Sequence, residues 1–154
     1  MKFTFACHIP YEGPREHRVS RNHKSAKCNI DLVEEMLMKE VALGRVAGPF
    51  FSMPIKDLMI SPVGLVPKSS PGEMRLNFDL SFPNGSSINE GIPREYAAVS
   101  YTNFDAVVDM VLKEGRGCSS VNIDVKSAFR FLPIHPSDFA LRGMAKKTFV
   151  DKVS

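Results

Sequence analysis

Residues 63–81 carry the pattern that most restricts how this chain can fold. Met74, Leu76, Phe78 and Leu80 alternate with Arg75, Asn77, Asp79 and Ser81, the period of two expected of a strand with one face buried. Residues 63–66 supply a second apolar run. Between the two lies Lys68-Ser69-Ser70-Pro71-Gly72-Glu73, with the Pro-Gly pair that marks a turn. The segment is therefore expected to form a hairpin over about residues 62–81, with Lys68 and Arg75 at its loop end.

Upstream, Leu32, Val33, Met36 and Leu37 follow helical spacing, with Asn29 or Asp31 available as a cap and Gly44 as a stop, so a helix of about three turns is expected from Asp31. Pro49, Pro54, Pro62 and Pro67 exclude a long helix beyond it. Past the turn-rich Pro83-Asn84-Gly85-Ser86-Ser87, residues 102–114 read as a second helix, with Phe104, Val107, Val108 and Val111 on one face and Gly115 as its stop. Residues 120–124 read as a strand that delivers Asp124 at its carboxyl end, followed by a second extended piece around residues 131–134. Residues 1–30 are polar without a sustained period and read as a tail or linker.

The chain has 154 residues, 44% hydrophobic and 24% charged, enough for one soluble domain or part of a larger one. No run approaches the roughly 18 apolar residues of a membrane span, and the opening residues turn polar too soon for a signal peptide. Three cysteines without paired spacing fit a reducing compartment, and the expected location is intracellular, cytoplasmic or nuclear. A net charge of +3 does not define a nucleic-acid binder. The basic run from Arg15 to Lys27 suits either phosphate contact or a solvated arm. Cys7, His8, His17, His23 and Cys28 match no common zinc spacing, Asn84-Gly85-Ser86 reads as a turn rather than a glycosylation site, and His135 before Pro136 reads as structural.

The blocks ALGRVAGPF, SPVGLVPK, GEMRLNFDLSFPNGSSINEGIP and NIDVKSAFRFLPIHPSDF, spanning about residues 40–144, resemble reverse transcriptases of retroelements, nearest to the DIRS-like tyrosine-recombinase retrotransposons. The resemblance implies an α+β fold: the fingers and first part of the palm of a right-hand polymerase, over residues 31–154, with the palm beginning near residue 118. It implies RNA template, DNA primer and dNTP as partners, no membrane, and Mg2+ as cofactor. Two such ions bridge the triphosphate and the primer hydroxyl.

In that family pattern Asp124 is the first catalytic, metal-binding aspartate, and Val125 offers its backbone carbonyl to the metal. Phe129 lies under the sugar of the incoming nucleotide and favours deoxynucleotides. Lys68 and Arg75 close on the triphosphate, the lysine as a compact charge and the arginine as a planar fork. Read without the resemblance, Asp124 can equally cap a turn, Phe129 can be a core aromatic, and Lys68 and Arg75 can face solvent. Asp79, four residues after Arg75 on the same strand face, is expected to orient its guanidinium or support neighbouring backbone.

The family's aromatic-x-Asp-Asp hairpin is missing, since no Asp-Asp dipeptide occurs in the sequence. Phe149-Val150-Asp151-Lys152 reads as the strand before a Leu-Pro-x-Gly motif that is itself absent. The downstream palm and thumb are then missing, and this polypeptide alone is expected not to polymerise. The alternative is a retroelement-derived relic that binds nucleic acid without catalysis. A reading frame continuing past Ser154 into those motifs favours the enzyme, and a natural stop favours the relic.

Overall fold

The computed structural model describes residues 6–121, 123, 132–145 and 148–151, the last four as backbone alone. Its strands are β1 (Arg18–Val19), β2 (Val46–Phe50), β3 (Met59–Ser61), β4 (Val63–Pro67), β5 (Met74–Phe78), β6 (Gly143–Ala145) and β7 (Thr148–Asp151). The helices are α1 (Lys24–Cys28), α2 (Ile30–Ala42), α3 (Arg94–Ala97) and α4 (Phe104–Glu114). Short 3-10 turns occupy Asn89–Gly91 and Pro136–Leu141.

The hairpin forms as its alternation predicts. β4 and β5 pair antiparallel from Val63 opposite Phe78 to Pro67 opposite Met74. The turn closes with Lys68 N–H donating to Glu73 O at 2.9 Å and Glu73 N–H to Ser70 O at 3.2 Å. Gly72 takes φ +77°, a left-handed backbone that a residue with a Cβ enters at a cost. Met74, Leu76 and Phe78 pack against the core while Arg75 and Asn77 point out.

Helix α2 lies under this hairpin because its apolar stripe recurs at helical spacing. Val33 and Leu37 are fully buried among Ala26, Val46, Val63, Leu65 and Met144, each such side chain contributing about 1.5–3 kcal/mol. The helix ends at Ala42 with Leu43 as its cap, and Gly44 follows at φ +72° with its N–H donating to Val41 O at 2.9 Å, as expected of a glycine stop. Asn29 stands at the N-cap position, but its side chain donates to Ser25 O at 2.9 Å rather than capping the helix.

Among the described residues the other strands make one five-stranded sheet in the order β1-β3-β6-β7-β2. β1 and β6 flank β3 in parallel, and β7 runs antiparallel to both β6 and β2. The expected strand at 120–124 is not formed by residues 120, 121 and 123, where Val121 and Ile123 are exposed; residues 122 and 124 lie outside the described residues. Of the second extended piece, residue 131 lies outside them, and Ile134 makes an isolated parallel bridge with Cys7.

The expected polar tail is corrected over residues 6–30. β1 joins the sheet, Ala26 is fully buried, and Tyr11 packs with Met59, Ile88 and Leu141. Beside this apolar packing, polar and long-range contacts that leave no period order the segment. Arg15 donates to Asp138 and to Ser137 O, and Asn22 bonds to both Val63 and Ala145. Helix α4 is formed two residues shorter than expected at its start, with Asn103 Oδ1 accepting from Ala106 N–H at 2.9 Å. None of its residues is buried, so its apolar face, including Phe104 and Val108, stands open to solvent. No helix among the described residues is long and apolar enough to cross a membrane.

Candidate functional site

Lys68 follows the last residue of β4, and Arg75 is the second residue of β5, directly opposite Val66. The alternation that turns Met74 and Leu76 toward the core, where they are partly buried, turns Arg75 outward, and the six-residue connection brings Lys68 back beside it. Together with Pro67, Ser69 and Ser70 they line an open hollow of about 500 Å³. A second hollow of about 320 Å³ continues toward α2, where Lys39 and Arg45 join Lys68 and Arg75.

Most of these cations are already engaged. Lys68 Nζ donates to Glu73 Oε2 at 2.9 Å, Lys39 Nζ to Glu35 Oε1 at 2.6 Å, and Arg45 Nη1 lies 3.6 Å from Glu40 Oε2. The Lys39 contact holds the Glu35 carboxyl below its ordinary range. Arg75 makes no ion pair with a described residue. Lys68 and Glu73 are both about half exposed, and such a surface pair is worth only about 0–1 kcal/mol. A polyanion carrying several negative charges can displace Glu73 at little cost, and it meets an Arg75 without an ion-pair partner among the described residues.

Of the two roles expected of Asp79, it supports neighbouring backbone and does not pair with Arg75. Its Oδ2 pairs with His23 Nε2 at 2.8 Å, and its Oδ1 accepts from Ser81 N–H at 2.9 Å. Neither Glu73 as the partner of Lys68 nor His23 as the partner of Asp79 was identified from sequence. The first was legible as opposite charges flanking a tight turn; the second joins residues 56 apart with no local signal. Asp124, Val125 and Phe129 lie outside the described residues, so the fit of a metal ion to the first two has no geometry here.

The remaining polar clusters hold the chain together. His17 pairs with Leu58 O at 2.8 Å, and His8 stacks on His135, ring centroids 3.9 Å apart. His135 Nδ1 accepts from Ser137 N–H at the start of the 3-10 turn. Gly85 N–H and Ser87 N–H both donate to the Glu90 carboxylate at 2.9 Å, which lowers its pKa and closes the turn that contains Asn84. Among the described residues no group of three or more His, Cys, Asp or Glu is placed to hold a metal ion.

The architecture is mixed helix and strand, and it is similar in fold to a solved reverse transcriptase. The chain aligns over 92% of its length with a foamy viral protease-reverse transcriptase solved in complex with dsDNA, at a TM-score of 0.50 and 19% identity. It spans 26% of that protein's chain. The likeness is one of fold. No protein-family model matches the sequence, and no curated protein matches it.

Proposed function

We propose that this chain is the N-terminal part of an RNA-directed DNA polymerase of a retroelement, related to the DIRS-like group, comprising fingers and the first part of the palm. The observation that carries the reading is the convergence of Lys68 and Arg75 on one open hollow at the tip of the hairpin, in a fold similar to that of a reverse transcriptase. In this reading the hairpin receives the triphosphate of a dNTP. Lys68 exchanges Glu73 for a phosphate oxygen, and the Arg75 guanidinium offers two parallel donors to the same group, where both offset charge on the departing pyrophosphate.

Asp124, with the Val125 carbonyl, is the proposed seat of magnesium, and Phe129 the proposed contact to the sugar. Bound magnesium would polarise the phosphoryl oxygens and lower the pKa of the primer hydroxyl. RNA template and DNA primer are the proposed macromolecular partners. One carboxylate does not hold two ions, so nucleotidyl transfer belongs to a longer protein that supplies the second acidic pair.

The test is primer extension on an RNA template with dNTPs and magnesium. It compares this chain, a version lengthened along its native reading frame, and Asp124→Asn in that longer version. Activity confined to the longer, unsubstituted protein supports the proposal. Absence of extension from all three, with retained salt-sensitive binding of nucleic acid, replaces it with the non-catalytic relic.

A further inference from the structure

The hairpin and the five-stranded sheet are separate hydrogen-bonded units, yet only Pro62 lies between the end of β3 and the start of β4. Proline has no N–H to carry a ladder across that joint. The apolar face of the hairpin packs on the shared core, which holds it against α2 without a backbone ladder to the sheet, and polar contacts along its outer edge complete the attachment that sets where its tip points.

We propose that Asn22, assisted by His23 and Ser25, is a bracket that fixes the direction of the hairpin relative to the sheet and thereby positions Lys68 and Arg75; the link to those two residues' role rests on the polymerase reading above. The Asn22 carboxamide spans both units. Its Oδ1 accepts from Val63 N–H, the first residue of the hairpin, at 3.0 Å, and its Nδ2 donates to Ala145 O, the last residue of β6, at 2.6 Å. Of the uncharged side chains of this length, a carboxamide alone presents a donor and an acceptor side by side.

The neighbouring residues complete the attachment. His23 N–H donates to Val63 O at 3.1 Å, so consecutive residues hold both backbone groups of Val63. Leu65 N–H donates to Ser25 Oγ at 3.0 Å. Val63 and Leu65 are the alternate positions of β4 whose polar groups point away from β5, so residues 22–25 engage both backbone groups of Val63 and the N–H of Leu65 on that outer edge. On the opposite strand's exit, His23 Nε2 pairs with Asp79 Oδ2. Gly64 makes room for this: a Cβ there would lie 3.2 Å from His23 Cδ2.

The test combines orientation and binding in the whole chain. Residual dipolar couplings of β5 amides against those of β3 and β6 report the hairpin's direction, hydrogen exchange at Val63 and Leu65 reports the bonds, and titration with dTTP reports the consequence. In Asn22→Ala the β5 couplings should no longer fit the sheet's alignment frame, and the Val63 amide should exchange at least about tenfold faster, while α2 amides keep their protection. Asn22→Asp, which keeps the acceptor for Val63 and loses the donor to Ala145, should shift the hairpin's orientation with a folded core, and it serves if the alanine variant fails to fold. Serine 25 to alanine, Ser25→Ala, should speed exchange at Leu65 alone.

Unchanged couplings in Asn22→Asp overturn the bracket whatever the nucleotide result. Altered couplings in a chain whose parent does not bind dTTP leave the bracket standing and remove the triphosphate role of Lys68 and Arg75. Altered couplings with dTTP binding weakened about threefold or more support both.

Discussion

Arg15 donates through Nη2 to Asp138 Oδ1 at 2.7 Å, joining two residues 123 apart in sequence. Asp138 is 2% exposed. Burial by itself would raise its pKa, but the Arg15 contact, the Ile9 N–H and His8 outweigh burial and hold the carboxyl below its ordinary range. A carboxyl lowered on folding adds stability above its unfolded pKa of about 3.9, and that stability is lost as pH falls through the folded value. Arg15→Ala should therefore lower stability by about 1–2 kcal/mol at neutral pH. It should also flatten the decline in melting temperature below about pH 4. Thermal melts followed by circular dichroism at pH 7 and pH 3 check this, and a variant as acid-sensitive as the parent would remove Asp138 as the cause.

At the hairpin tip, the pairing of Lys68 with Glu73 sets opposite signs for two substitutions. Lys68→Ala and Arg75→Ala should each weaken dTTP binding by about fivefold or more, the scale of one charge-assisted contact. Glu73→Gln frees Lys68 and should tighten binding by about two- to fivefold, consistent with an exposed pair worth at most about 1 kcal/mol. Isothermal titration at low salt measures all three. Weaker binding in Glu73→Gln would mean that the carboxylate holds Lys68 in place rather than competing for it.

Burial separates two apolar helices that look alike in sequence. Leu37→Ala in α2 removes a fully buried side chain and should cost about 2–5 kcal/mol. Val108→Lys and Leu112→Lys in α4 replace side chains that stand in solvent and should change stability by no more than about 0.5 kcal/mol. They should also reduce self-association and dye binding, since the open face of α4 is a contiguous apolar surface. Denaturant melts with sedimentation velocity distinguish these outcomes; a large loss of stability in Val108→Lys would show that α4 is covered in solution.

Gly91 lies against the ring of Tyr11, and a Cβ at that position would overlap Tyr11 Cε2. Gly91→Ala should destabilise the chain by about 1–3 kcal/mol through overpacking. Combining it with Tyr11→Leu should restore part of the loss, which a double-mutant cycle of denaturant melts reads directly.

The hairpin and α2 were legible because their signals are local: an alternating strand, a Pro-Gly turn, and an apolar stripe closed by Gly44. The placement of Lys68 and Arg75 on the hairpin followed from the same signals. The order of residues 6–30 is not legible in the sequence, for the complementary reason. Arg15, Asn22 and His23 find their partners at residues 138, 63, 145 and 79, and polar contacts over such separations leave no periodic trace. The same applies to one half of Asp79: its support of neighbouring backbone at Ser81 is local and was legible, whereas its partner His23 comes from 56 residues away. Helix α4 shows the converse, where a correct periodicity identified the helix but not whether its apolar face would be covered.

The parallel pairing of β3 with β6 sets Ile60 beside Gly143, and β1 and β2 flank strands that also depend on this late partner. During synthesis the cluster of α1, α2 and the hairpin has all its strands and helices once residue 78 has emerged, whereas the larger sheet waits for residues 143–151. Contacts of such long sequence separation form slowly, so the hairpin should be built before the platform that orients it, and Asn22 must hold Val63 for some time before Ala145 arrives to be joined.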